Sequence, residues 1–353
     1  GTRGRLILGL LINTPHPIKL TGDKSLSKRD FKRITDPLTR FGAVFKLTNN
    51  KNLPLEVLRS KKLNPIYNKK IEVDGDKSLS IRWILFSSLS STKSTAQNLL
   101  LSEDVMAAIK VIRKLGIKVV IKNKTCVVYG NGVEGYRYKK NLTLNAQNSG
   151  TLGRLILGLL INTPHPIKLI GDKSLSKRDF KRITDPLTRF GAIFKLTNNK
   201  NLPLKILGSK KLKPIYYEEK KGSAQCKSAV IFGGLRTDGS TLIKAKKSRN
   251  HTELFSNHLK LPIKIIKKKN YDLIKVNKMK EINLVNYKIP SDISSSAFFI
   301  VLTALSNKSK LIIKNVNINP SRTGVITILK KMGVEIYLRN KKIYKGEKNA
   351  DIH

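Results

Sequence analysis

Residues 70–89 read KIEVDGDKSLSIRWILFSSL, and three later stretches share their plan: LTLNAQNSGTLGRLILGLL at 142–160, IYYEEKKGSAQCKSAVIFGGL at 215–235 and NYKIPSDISSSAFFIVLTAL at 286–305. Each combines a short strand pattern, a loop of small polar residues and an apolar helix. The loops recur roughly every 70 residues, a period that marks repeated supersecondary units. The other half of a unit is legible in SEDVMAAIKVIRKLGIKVVIK at 102–122. There Val105, Ile109, Ile112 and Leu115 fall at helical spacing, Gly116 stops the helix, and alternating Val and Ile predict a strand. SKRDFKRITDPLTRFGAIFKL at 176–196 and NPSRTGVITILKKMGVEIYL at 319–338 follow the same plan. The pattern predicts an α/β fold built from repeated βαβαββ-like units.

A second repeat is nearly verbatim. Residues 1–67 match 150–216 in register except at Arg3/Leu152, Thr21/Ile170, Val44/Ile193, Glu56/Lys205, Val57/Ile206, Arg59/Gly208 and Asn64/Lys213. We read 1–69 as a duplicated partial unit that lacks the leading strand of its parent. Residues 70–288 are then a complete three-unit domain, and 289–353 the first unit of a second, truncated domain. A half-unit cannot bury its apolar helix face alone. It is expected either to dock against the 289–353 unit or to stay loosely ordered. The opening GTRGRLILGLLINTPHP has the look of a secretory leader, yet it recurs at 150–166 in mid-chain, which makes it a core helix. No apolar run approaches the ~18 residues a membrane span needs. The absent initiator Met suggests a fragment or a processed start.

Lys and Arg total 70 against 23 acids, a net charge of +47. Such a field attracts nucleic acid, anionic membranes or phosphorylated metabolites. The excess is mostly lysine, accompanied by many Ile and Asn, as A/T-rich codon usage produces. It is scattered, with no arginine stripe and few aromatics for base stacking, so nucleic acid is not the expected partner. Cys126 and Cys226 sit in no CxxC or Cys/His cluster, and the five histidines form no metal-spaced pair. No disulfide, metal or cofactor is expected, and a reducing cytoplasm is the default compartment.

The loops carry the chemistry. Each places Gly, Ser, Asn or Gln where a helix begins, and the free N–H groups there favour anions. Ordinary capping explains any one such serine, but four in succession point to a shared anionic ligand. Lys77 resembles a P-loop lysine, yet GxxxxGK[ST] is not satisfied, and a nucleoside triphosphatase is not expected. The hexapeptide GDKSLS occurs at 22–27, 75–80 and 171–176. The first and third copies lead into a unit's second helix. The middle copy opens a first helix.

DGDKSLSIR, NSGTLGRL, GDKSLSKRDFKRITDPLTRFGA, SAQCKSAVIFGGL, SRNHTELF, PSDISSSAFF and NPSRTGVITILKKMG resemble, in order, motifs of the 5-enolpyruvylshikimate-3-phosphate synthase family. The resemblance covers residues from about 70 to 340 and implies the enolpyruvyl-transferase inside-out α/β barrel, with two domains of three units each. It implies transfer of the enolpyruvyl group of phosphoenolpyruvate to the 5-hydroxyl of shikimate 3-phosphate, without a metal. At matching positions it implies that Lys77 meets and orients both substrates, while Ser78 and Arg82 hold shikimate 3-phosphate. Asn148, Gly150 and Arg178 would line the phosphoenolpyruvate pocket. Ser223, Ala224, Gln225 and Ser248 would grip shikimate 3-phosphate, with Gln225 also near phosphoenolpyruvate. Both substrates are multiply anionic, and charge-assisted contacts orient such ligands best.

Other residues take blander readings. Arg154 is read as structural, Trp83 as packing, Asp292 as a helix cap, and Arg249 and His251 as cap-region residues or ligand contacts. Arg29, the copy of Arg178, is expected to face no complete site. After residue 353 the resemblance lacks two units, which in the family hold a catalytic Asp, a Lys-Glu-Ser-Asp-Arg segment and further phosphoenolpyruvate ligands. This chain is therefore expected to be an inactive, monomeric fragment of the enzyme; the alternative is a module that only binds shikimate 3-phosphate. A sister family acting on UDP-N-acetylglucosamine has Lys-Asn in the first loop, where this chain has Lys77-Ser78.

Overall fold

The computed structural model describes residues 8, 11–12, 16–27, 30–39, 42–58, 69–283, 285–306 and 308–353. Arg29 lies outside them. Contacts divide the chain into a larger unit, residues 74–290 with 343–348, and a smaller one, residues 1–73, 291–342 and 349–353.

The smaller unit begins with β1 (Ile18–Leu20), α1 (Lys24–Ser27), α2 (Lys32–Thr39), β2 (Val44–Thr48) and β3 (Asn52–Leu58). Their antiparallel sheet has the order β1-β3-β2. β4 (Lys69–Ile71) follows. The larger unit runs through three repeats. The first contains α3 (Lys77–Ser88), β5 (Lys93–Gln97), α4 (Glu103–Lys114), β6 (Lys118–Lys122) and β7 (Thr125–Tyr129). The second contains β8 (Leu142–Asn145), α5 (Gly150–Leu159), β9 (Ile167–Ile170), α6 (Lys173–Ser176), α7 (Lys181–Thr188), β10 (Ile193–Thr197) and β11 (Asn201–Leu207). The third contains β12 (Tyr216–Glu219), α8 (Ala224–Gly234), β13 (Ser240–Lys246), α9 (His251–His258), β14 (Ile263–Lys267) and β15 (Tyr271–Asn277). After β16 (Tyr287–Lys288) come α10 (Ile293–Leu305), β17 (Leu311–Asn317), α11 (Gly324–Lys331), β18 (Leu338–Tyr344) and β19 (Glu347–Ile352).

One sheet design recurs: a leading strand parallel to the next, then two antiparallel strands. The second and third repeats have the orders β8-β9-β11-β10 and β12-β13-β15-β14, with β8–β9 and β12–β13 parallel. The sequence pattern assigns KIE at 70–72 to the first repeat as its leading strand. The structure differs. β4 pairs with β17 in the smaller unit, in a sheet ordered β4-β17-β19-β18. The first repeat takes its leading strand from β16, which pairs parallel with β5. A strand of two or three residues has little sequence of its own to choose a partner with. The open edge decides the pairing.

The helices explain why these sheets pack as they do. In α3 all residues from Ser78 to Ser88 are buried, and α8 is buried from Cys226 to Gly234. Helices without a polar face belong inside a core. The strands alternate instead: in β11 Leu202, Leu204 and Ile206 are buried while Pro203 and Lys205 are exposed, the period-2 pattern of a half-covered sheet. The sheets stay open, with the apolar helices as the centre of the larger unit's core. α5 and α8 touch backbone to backbone. A Cβ on Gly158 would stand 2.1 Å from the Ala229 carbonyl oxygen, so only glycine fits.

The near-verbatim repeats occupy different settings. β9 lies between β8 and β11, and its Ile167 and Leu169 are fully buried. Their counterparts in β1, Ile18 and Leu20, are half-buried in a sheet with no counterpart of β8. Leu8, Ile12, Phe31, Leu38, Leu55 and Val57 share one apolar cluster with Ile293, Ile300, Leu302, Ile313 and Val316.

Candidate binding site

The site is built on the helix beginnings of the larger unit. Asp76 caps α3 by accepting from the Leu79 N–H (2.9 Å), Ser149 caps α5 through the Leu152 N–H (3.4 Å), and Ser223 caps α8 through the Cys226 N–H (3.3 Å). A hydroxyl that caps by accepting keeps its own proton, so Ser223 can still donate to an anion. In all three copies of GDKSLS the aspartate accepts from an N–H three residues on: Asp23 from Leu26, Asp76 from Leu79 and Asp172 from Leu175. Only the middle copy opens a long helix. The other two open the single turns α1 and α6.

Two cationic clusters hang from this frame. The first surrounds Gly150. A Cβ there would come within 2.9 Å of Nη1 of both Arg154 and Arg178, so the missing side chain lets two guanidinium groups close over the backbone. Arg154 donates to Gln225 Oε1 (2.7 Å) and lies over the Phe180 ring at 5.4 Å. Gln225 in turn donates to Thr151 Oγ1 at 3.1 Å. Burial, followed by the charges of Arg178 and Arg182, pulls the Arg154 pKa down. Like charges are thus held together and partly desolvated, an arrangement that an anion would relieve.

The second cluster centres on Arg82, 3 % exposed. It donates to Thr252 Oγ1 at 2.7 Å, to the Ser78 carbonyl at 3.0 Å and to Ser228 Oγ at 3.3 Å. Ser228 and Thr252 are themselves 2.7 Å apart. Among the described residues Arg82 makes no ion pair, and burial lowers its pKa to about 10. Gln225 and Ser228 stand three residues apart on α8, on neighbouring positions of one helix face. One helix thus touches both clusters.

The remaining expected residues have definite places. Lys77 is half-exposed, 3.4 Å from Asp104, a geometry worth little in water. The Asn148 amide donates to Asp172 and ties two loops together. Ala224 is the first residue of α8. Among the described residues Ser248 Oγ is buried without a hydrogen-bond partner. Arg249 is exposed, and His251 Nδ1 lies 2.7 Å from Glu347 in a buried pair. Trp83 is fully buried and donates to the Val285 carbonyl at 2.6 Å. In the smaller unit Asp292 caps α10 through the Ser294 N–H and accepts from Arg322, each at 2.7–2.8 Å.

The sequence reading took Arg154 as structural and did not single out Arg182, Ser228 or Thr252, which the structure places beside the expected residues. A signal existed for Arg154, which lies four residues after Gly150 on the same helix and so stands above its backbone; Arg178 precedes the helix that carries Arg182, and spacing alone does not join those two. For Ser228 and Thr252 no local pattern distinguishes a core hydroxyl from one holding a guanidinium. Among the described residues no group of His, Cys, Asp and Glu could hold a metal ion, and no helix is long and apolar enough to cross a membrane.

The family model described as EPSP synthase (3-phosphoshikimate 1-carboxyvinyltransferase) matches residues 64–352. A 3-phosphoshikimate 1-carboxyvinyltransferase of Caldicellulosiruptor bescii is 42% identical over 282 residues, covering 79% of this chain and 64% of that protein. One from Streptococcus agalactiae is 40% identical over 274 residues, covering 76% and 62%. The solved EPSP synthase from Acinetobacter baumannii superposes with a TM-score of 0.75 at 34% identity, over 82% of this chain and 66% of that one. The chain spans less than two thirds of the length of the two sequence relatives.

Proposed function

Because the chain belongs to the EPSP synthase family, we propose that its larger unit binds shikimate 3-phosphate and phosphoenolpyruvate for enolpyruvyl transfer to the 5-hydroxyl. The observation that carries this reading is Arg82, a buried cation whose hydrogen bonds all go to neutral oxygens. A buried charge with no carboxylate bonded to it is costly to keep, and an anionic ligand bonded there lowers that cost. Arg82, Ser78, Ser223, Ser228 and Ser248 form the shikimate 3-phosphate side. Lys77, Gly150, Arg154, Arg178 and Gln225 form the phosphoenolpyruvate side.

The carboxylates near these cations already have partners. Asp76 holds a helix cap, Asp104 faces Lys77, Asp172 accepts from Leu175 and Asn148, and Glu219 accepts from the N–H groups of Lys221 and Ser223. Each is engaged in a contact that holds the loops and helix beginnings in place, which favours an orienting role for this unit. We therefore read this unit as the binding and orienting part of the chemistry, in a protein of the reducing cytoplasm, and expect residues 1–353 to bind without turnover. Calorimetric titration with shikimate 3-phosphate tests this. Saturable binding that weakens about tenfold or more in Arg82→Met, with no phosphate released when phosphoenolpyruvate is added, is the expected result. Absence of any binding overturns the reading.

A further inference from the structure

Three carboxylates pull electrostatically on Arg82, namely Glu253, Asp76 and Glu347, and Arg249 opposes them. Asp76 is engaged by the α3 cap and Glu347 by His251. Glu253 is the strongest of the three. It directly follows Thr252, which holds Arg82, yet its own Oε1 lies 2.6 Å from Lys227 Nζ. Lys227 directly precedes Ser228, the other hydroxyl on Arg82. Lys227 is fully buried and Glu253 is 3 % exposed. Two neighbouring residues of α8 are thus matched to two neighbouring residues of α9, charge to charge and hydroxyl to hydroxyl.

We propose that Lys227 is a positioning residue that captures Glu253 and so keeps Arg82 on the Ser228 and Thr252 hydroxyls, available to a ligand anion. If Lys227 is removed, Glu253 becomes an uncompensated buried carboxylate beside a buried cation. The pair closes, and the guanidinium is neutralised and turned away from the ligand. Lys227 never touches substrate. It governs which charges in the core remain unpaired. The inference rests on the shikimate 3-phosphate reading above, and the test separates the two.

The full chain is titrated with shikimate 3-phosphate as wild type, Lys227→Met and Lys227→Met/Glu253→Gln. We expect affinity to fall about tenfold or more in the single variant, because its main cation is quenched, and to return within about threefold of wild type in the double. A lysine that merely packs the core would not be rescued by removing Glu253. Wild-type affinity in the single variant, or a double variant as weak as the single, overturns the proposal. If the single variant does not fold, the double alone decides: near-wild-type affinity supports capture, and weak binding overturns it. If wild type does not bind, the functional reading has failed, and the pairing is read from the Arg82 Nε–Hε resonance in 15N-labelled protein. A shift in Lys227→Met that is absent in the double supports capture, and an unmoved signal rejects it.

Discussion

Arg82 is a cation held almost entirely out of water, and its titration has a definite sign. Burial depresses its pKa to about 10, so the proton leaves as pH rises through that value. Below it the cation is retained against its desolvation, and that cost to folding is relieved only as pH climbs from about 10 towards the free value. A ligand that needs the cation must follow the same curve. Shikimate 3-phosphate affinity should be flat from neutral pH to about 9 and fall about tenfold per unit above about 10. Arg82→Met should lose this limb while keeping whatever the surface lysines contribute. An alkaline limb unchanged in Arg82→Met, measured by titration across pH, would contradict the assignment. At this scale the motifs single out Arg82, in the second turn of α3, and Gly150 and Gln225, at the beginnings of α5 and α8. They could not give Thr252 or Glu253, since a buried hydroxyl and a buried carboxylate acquire their roles only from what packs against them.

Among the elements, α3, α5 and α8 were the most legible. Their strand–loop–helix plan is written in local sequence, and their lack of a polar face announces burial. Which strand leads which sheet was not legible, because β4 and β16 are too short to encode a partner. The contact between α5 and α8 also escapes pattern reading, although Gly158 marks it. The Ala229 carbonyl stands where a Cβ would go, and backbone cannot swing aside as a side chain end can. Gly158→Ala should destabilise the larger unit by about 1–3 kcal/mol through overpacking. Urea unfolding followed by circular dichroism reads this as a lower midpoint with unchanged slope. No loss of stability would mean that the two helices can separate.

At the scale of the whole molecule the two units have separate apolar cores. The N-terminal segment supplies Leu8, Ile12, Phe31 and Leu38 to the smaller one. Deleting residues 1–58 should leave Ile293, Ile300, Leu302 and Ile313 without part of their cover. Calorimetry should then show the smaller unit's transition lost or lowered, with binding of a hydrophobic dye, while the larger unit melts as before. An unaltered melting profile would show that the first 58 residues add nothing to that core. Near-identity of 1–67 to 150–216 was obvious in the sequence. The missing leading strand was legible there too, and with it the choice between docking on 289–353 and loose order; the apolar cluster shared with Ile293, Ile300 and Leu302 is read only from the three-dimensional packing.

The borrowed leading strands have a consequence for how the chain is made. β5 pairs with β16, and the Thr95 N–H is received by Asn286, 191 residues further on. At ~5–20 residues per second a ribosome needs roughly 10–40 s to deliver that partner. During this interval the second and third repeats, whose leading strands immediately precede them, can complete their sheets, while the first repeat waits with an open edge. Assembly during synthesis is therefore expected to run from the middle of the larger unit outward, with its earliest-made repeat finished last.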